Sequence, residues 1–216
     1  MSRSRSRTPA PKPTAKNRTW LFLGIGAALV VAFVLAIVLT PDEAVMADEY
    51  GTVTISGGSL RPFSGDAAAD PDVGSPAPEV SGFDLQGSPI QISKDGRPKV
   101  VLFLAHWCPH CQREVPAIEQ YLVGNDFAGG VDFYSVVTAS SPERPNWPPS
   151  AWLMTEGWSF PVLVDDEQSS GLRAFGQGAL PYYVFVDPQG TVVLRLSGER
   201  DPGQLADLIE SLADLA

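Results

Sequence analysis

Cysteine and histidine are both scarce in this sequence, with two of each in 216 residues. One pair of cysteines can form at most one bridge, and without a second Cys or His pair elsewhere the chain lacks the ligands of an ordinary structural zinc site. Cations are scarce too once the first 19 residues are set aside, nine Lys or Arg standing against 25 Asp or Glu. That acidity argues against nucleic acid as a partner of the main body. No internal repeat is present. The length and 44% apolar content suit one packed domain of ~100–150 residues with accessory segments, and leave no room for a second.

The first 19 residues lack any acid and carry six cations, Arg3, Arg5, Arg7, Lys12, Lys16 and Arg18, while residues 20–39 lack any charge. Twenty helical residues span a hydrocarbon core of ~30 Å, so 20–40 is expected to be a transmembrane helix. A cleaved signal peptide, with Val45 and Ala47 as small residues at a cleavage site, is the alternative, but a signal core runs to only ~7–15 residues. By the positive-inside rule, 1–19 is a basic cytoplasmic tail and everything beyond residue 40, beginning with Asp42 and Glu43, lies outside. The Ser-Arg repeats at 2–7 suit a topology signal that also attracts anionic lipid. Residues 41–75, rich in Asp, Ala, Gly, Ser and Pro, read as an extracytoplasmic linker. Within it the β-prone run at 52–55 is either spacer or an edge strand.

Beyond residue 76 the pattern turns to alternating elements. The apolar run at 99–105 predicts a buried central strand, and 109–123 a helix with Val115, Ile118 and Leu122 on one face. A second buried strand is expected at 131–138, a short helix at 152–157, an extended segment at 161–164 and a helix at 168–175. Strands at 182–186 and 192–196 are joined through Asp187-Pro188-Gln189-Gly190, a turn signal. The last helix should open with Asp201 as N-cap, Pro202 at its first position and Gln204 at the capping-box position, burying Leu205, Leu208, Ile209 and Leu212. This order indicates an α/β sandwich around a mixed sheet.

Both cysteines stand in Trp107-Cys108-Pro109-His110-Cys111, between the first buried strand and its helix. A Cys at a helix N-terminus faces unpaired N–H groups and the positive end of the helix dipole, which favour thiolate, so Cys108 is the expected nucleophile. Cys111 falls on the first turn, placed to attack a mixed disulfide on Cys108 or to run the reverse reaction. A purely structural bridge would close too small a loop to stabilise much. A metal site drawing in His106 and His110 would crowd four ligands into six residues, a poor match to tetrahedral zinc. The expectation is no metal, and no cofactor beyond a redox-active Cys108–Cys111 disulfide.

From about residue 76 to 216 the chain resembles the thioredoxin superfamily, and most of all its membrane-anchored TlpA/ResA-type group. The likeness is carried by Trp-Cys-x-x-Cys after a strand, by Glu114 and Pro116 three and five residues past the second Cys, by Leu180-Pro181 just before the strand at 182, and by Gly74-Ser75-Pro76-Ala77-Pro78. It implies a thioredoxin fold behind the membrane helix, a cis-proline at Pro181, a substrate site of Trp107, Leu180 and Pro181 whose backbone pairs with extended substrate, and Glu114 tuning Cys111. From the residues alone, Glu114 is equally a solvated helix position and Pro181 the start of a strand. Pro116 should kink the helix by removing a donor.

Pro109 and His110 form the dipeptide of DsbA-type oxidases, where reductases of the resembled group often carry Glu-Pro. A cationic His110 over the helix terminus would favour the Cys108 thiolate and make the disulfide a stronger oxidant. The large helical insertion of those oxidases is missing. The expected activity is thiol–disulfide exchange with protein substrates, reductive by family likeness, the alternative being an oxidase of exported proteins. A peroxiredoxin-type peroxidase fits less well, since Ala105 stands where a peroxide-orienting Thr is needed. A thioredoxin-like copper chaperone uses wider Cys spacing and a distant His.

The implied home is a bacterial cell membrane, single-pass, with the domain outside. Implied partners are cysteine-containing exported or membrane proteins and a membrane redox partner that recycles the dithiol. His106 is either a packed or solvent-facing residue or a charge that perturbs Cys108. The Pro- and Trp-dense stretch 144–152 is either a rigid wall that docks partners or a loop plugging the core.

Overall fold

The structure, a computed structural model, describes residues 49–124 and 130–216 together with Phe22. The expected basic tail at 1–19 and, Phe22 apart, the expected span at 20–40 lie outside the described residues. Among the described residues, no helix is long and apolar enough to cross a membrane. In chain order the elements are β1 (Thr54–Ser56), β2 (Glu79–Phe83), β3 (Pro89–Ile92), β4 (Lys99–Leu104), α1 (Pro109–Gly124), β5 (Asp132–Val137), α2 (Pro149–Thr155), β6 (Val162–Val164), α3 (Ser170–Ala174), β7 (Tyr182–Val186), β8 (Val192–Ser197) and α4 (Pro202–Ala213).

Six consecutive buried residues make β4 the centre of a five-stranded sheet ordered β6-β5-β4-β7-β8. On one side β5 and β6 run parallel; on the other β7 and β8 run antiparallel. Side chains alternate along a strand, so Val100, Leu102 and Leu104 face one layer and Val101 and Phe103 the other. The first layer takes α1 through Val115, Ile118 and Leu122, and α4 through Leu205, Ile209 and Leu212. The second takes Leu172 and Phe175 together with Val80 and Ile92 of the N-terminal sheet. Full burial of each such side chain stabilises by about 1.5–3 kcal/mol relative to exposure. Cover on both faces is why β4 reads as an unbroken apolar run after Lys99.

Two helix boundaries shift from expectation. α2 starts at Pro149, three residues early, because Pro is at home in a first helical turn. α3 is confined to five residues. α1 continues through Pro116. At α4 the Asp201 carboxylate accepts from the N–H groups of Gly203 (3.0 Å) and Gln204 (3.2 Å), the expected cap. Leu208 is only partly buried on that face.

The linker expected over 41–75 requires correction from residue 49 onward. Thr54–Ser56 pairs antiparallel with β2, which pairs with β3, making a three-stranded sheet that the sequence pattern had not suggested at 79–83 and 89–92. Leu60 is buried and its N–H donates to the Ala174 carbonyl (2.8 Å), as does that of Phe63 to Gly176 (2.7 Å). Beyond them Asp70 and Asp72 pair with Arg195 of β8, which is wholly buried. A segment poor in apolar residues is thus held by backbone hydrogen bonds and buried charge pairs as well as by Val53, Ile55, Leu60 and Phe63 packed on the core. Gly176, at φ +92, makes this possible, since a Cβ there would run into the Arg195 guanidinium and the Arg61 carbonyl.

Candidate active site

Between β4 and α1 the Cys108 N–H turns back to the Ala105 carbonyl (3.0 Å), while the Cys108 carbonyl accepts from Gln112 (3.0 Å). Cys108 is therefore the residue from which the helix starts, and its sulfur lies where the first N–H groups have no intrahelical partner. Both cysteines are free thiols; Cys108 is 6% exposed and Cys111 not at all. Phe103 of β4 pairs with Tyr182 of β7, which sets the start of β7 beside the helix terminus. There the Leu180–Pro181 bond is cis, and the Cys108 thiol donates to the Leu180 carbonyl at 3.6 Å.

Behind this pair the site is closed to water. Burial pushes the Cys111 thiol well above its ordinary range, opposed by a backbone hydrogen bond at Ala105 and reinforced by Cys108 and Glu114. Glu114, three residues on and 2% exposed, is not the solvated position its helix spacing allowed. Burial raises its carboxyl to about 7 against the pull of Tyr183 and of the Arg200 N–H, which donates to Oε1 at 2.5 Å. The Tyr183 hydroxyl and Glu114 are close enough to perturb each other electrostatically, yet neither Oε2 nor the hydroxyl completes a hydrogen bond of ordinary geometry. A buried carboxyl with a spare acceptor thus lies within electrostatic reach of the Cys111 thiol.

The rim is built from both sides. Trp107 is half-buried, its Nε1–H donating to the Ala139 carbonyl (2.7 Å), with the Arg144 guanidinium 4.8 Å above its ring. Pro109 is the first residue of α1 and is exposed. His110, 60% exposed, directs Nδ1 at the Glu199 carboxylate, which also pairs with Arg113.

His106 belongs to the packed alternative. It is wholly buried; Nδ1 donates to the Pro145 carbonyl (2.7 Å) and Nε2 accepts from the Ser141 N–H (3.2 Å). Only the neutral ring can do both, and burial depresses its pKa accordingly. Trp147 meets its edge at 5.7 Å, and Trp152 enters the core. The 144–152 stretch therefore divides between a loop wrapped on His106 and a plug. Among the described residues no cluster of three or more His, Cys, Asp or Glu could hold a metal ion.

Four residues at the site lie outside the expected set: Arg113, Tyr183, Glu199 and Arg200. Arg113 lies one turn past His110 and could have been noticed; the others arrive from strands and loops distant in sequence.

A family model described as Redoxin matches residues 72–211. The thiol-disulfide oxidoreductase ResA of Bacillus thuringiensis (strain Al Hakam) is 28% identical over 142 residues, 65% of this chain and 78% of that protein. The crystal structure of a thiol:disulfide interchange protein from Chlorobium tepidum TLS matches at 26% identity and TM-score 0.52, covering 64% of this chain and 95% of that one. StoA from Bacillus subtilis matches with TM-score 0.52 over 64% of this chain and 99% of its own, at 17% identity, a likeness of fold.

Proposed function

The chain belongs to the Redoxin family, with a thioredoxin fold, and on that premise we propose that it is a ResA-like thiol–disulfide oxidoreductase that reduces disulfides in protein substrates. The observation that carries this reading is the placement of the Cys108 thiol at the helix terminus against the Leu180 carbonyl, with Cys111 buried one turn behind it.

In the reductive direction the Cys108 thiolate attacks a substrate disulfide, forming a mixed disulfide as the substrate S–S bond breaks and one substrate thiolate leaves. Cys111 then gives its proton to Glu114 and attacks the Cys108 sulfur; the Cys108–Cys111 bond forms and the second substrate thiolate departs. Two electrons have passed from the dithiol to the substrate, and the leaving thiolates take up protons. A carboxyl at about 7 is matched to this transfer near neutral pH. Trp107, Leu180 and Pro181 form the surface along which an extended substrate lies. No cofactor beyond the dithiol is needed. Tethering by residues 20–40, with the domain outside a bacterial membrane and a membrane partner returning electrons, is part of the same proposal and rests on the charge pattern of the first forty residues.

The test is a trapping experiment with the full chain. Cys111→Ser mixed with a disulfide-bearing protein should accumulate a mixed disulfide on Cys108, and Cys108→Ser should accumulate none. Trapping by neither variant would overturn the reading.

A further inference from the structure

Cys108 has two basic neighbours on its own helix, His110 and Arg113, and the Arg113 guanidinium is held more strongly protonated by Glu199 and by charge at Cys108 itself. Positive charge at such a place favours the thiolate and so makes the disulfide a stronger oxidant. Facing both is Glu199, from 89 and 86 positions away. Its Oε1 meets His110 Nδ1 and an Arg113 terminal nitrogen, and its Oε2 accepts from Arg113 Nε at 3.3 Å. The Arg113 terminal nitrogen also lies 2.9 Å from His110 Nδ1, so the three side chains form one cluster.

Glu199 is delivered there by a built loop. The Gly198 N–H donates to the Pro181 carbonyl (2.8 Å), and the Arg200 N–H donates to Glu114. The Arg200 guanidinium closes the turn on the carbonyls of Ser197 (2.8 Å) and Gly198 (3.2 Å). The residues on either side of Glu199 are thus bonded to the cis-proline and to the buried carboxyl, the two elements that frame the dithiol.

We infer that Glu199 is a positioning residue that offsets the charge of Arg113, and of His110 when its ring is protonated, at the Cys108 sulfur, drawing the dithiol–disulfide equilibrium toward the reducing side despite the Pro-His dipeptide. This rests on the oxidoreductase reading above. His110 and Arg113 are 60% and 58% exposed, so solvent screening keeps the effect to several-fold.

The experiment equilibrates the full-length protein with reduced and oxidised glutathione, where the Cys108–Cys111 disulfide and two thiols exchange for a dithiol and oxidised glutathione. In low salt, about 20 mM, Glu199→Gln should move the equilibrium toward the dithiol by about threefold or more. Glu199→Asp, which keeps the charge, should stay near wild type. At about 0.5 M salt the Glu199→Gln shift should shrink, as a purely structural effect would not. An unmoved constant in Glu199→Gln, or a shift indifferent to salt, overturns the inference and leaves the oxidoreductase reading standing. Absence of exchange in the wild type overturns both.

Discussion

Arg195 on β8 grips Asp70 with two nitrogens across 125 positions of sequence, Nε donating to Oδ2 at 2.7 Å, and both side chains are fully buried. The same guanidinium reaches Asp72 at 3.2 Å and the Arg61 carbonyl at 2.8 Å. Removing one partner leaves a buried charge with less than its due. Asp70→Ala should therefore cost about 3–5 kcal/mol in urea unfolding. A fragment beginning at residue 76, which loses Asp72 and Arg61 as well, should be less stable still. An unchanged unfolding midpoint in Asp70→Ala would contradict this.

The hydrogen bond from Arg195 holds the Asp70 carboxyl below its ordinary range. Its contribution is complete above the unfolded value of about 3.9 and is lost as pH falls through the lower folded value. Wild type should lose more stability than Asp70→Ala between about pH 4 and pH 2.

Glu114 works in the opposite sense. Burial raises it from an ordinary 4.5 to about 7, so its contribution is complete below the unfolded value and is lost as pH rises through about 7. By about pH 8, ionising it withdraws on the order of 3 kcal/mol. Glu114→Gln should flatten the stability profile between about pH 4.5 and pH 8 while slowing release of the mixed disulfide. Identical profiles for the two proteins would refute the assignment.

Replacing His106 by Phe preserves a ring in the core but strands the Pro145 carbonyl and the Ser141 N–H. A loss of about 1–3 kcal/mol is expected, with faster amide exchange at Ser141. Unaltered exchange there would mean the loop is held by other contacts.

The proposed topology predicts that protease added outside intact spheroplasts digests residues 49–216 and spares an epitope fused before Met1. Protection of the domain until the membrane is opened would reverse the orientation.

Much of the fold was legible because its centre obeys local rules. Unbroken apolar runs at 100–105 and 182–186 announced β4 and β7, a mostly apolar stretch announced β5, and Asp201-Pro202 announced α4. The dithiol was legible for the same reason, since a strand, Trp107-Cys108 and a helical spacing occur together. β2 and β3 were not, because they are five and four residues long and carry Gly82 and Pro89, which weaken a strand pattern. Within 49–75 the run at 52–55 was legible as one of two alternatives, an edge strand; the rest was not, because much of its anchoring is by backbone hydrogen bonds and charges, and Arg195 reads in sequence as an ordinary outward strand position between Leu194 and Leu196. Glu199 escaped similarly, its relation to His110 being created by the β8–α4 turn.

The most direct test of the proposed chemistry is the reduction potential of the full-length protein, titrated against glutathione and read by the mass of alkylated thiols. A two-electron midpoint near ~−270 mV is expected for a reductase. A midpoint near ~−120 mV would contradict the reductive direction, and the absence of a two-electron transition would contradict thiol–disulfide exchange itself.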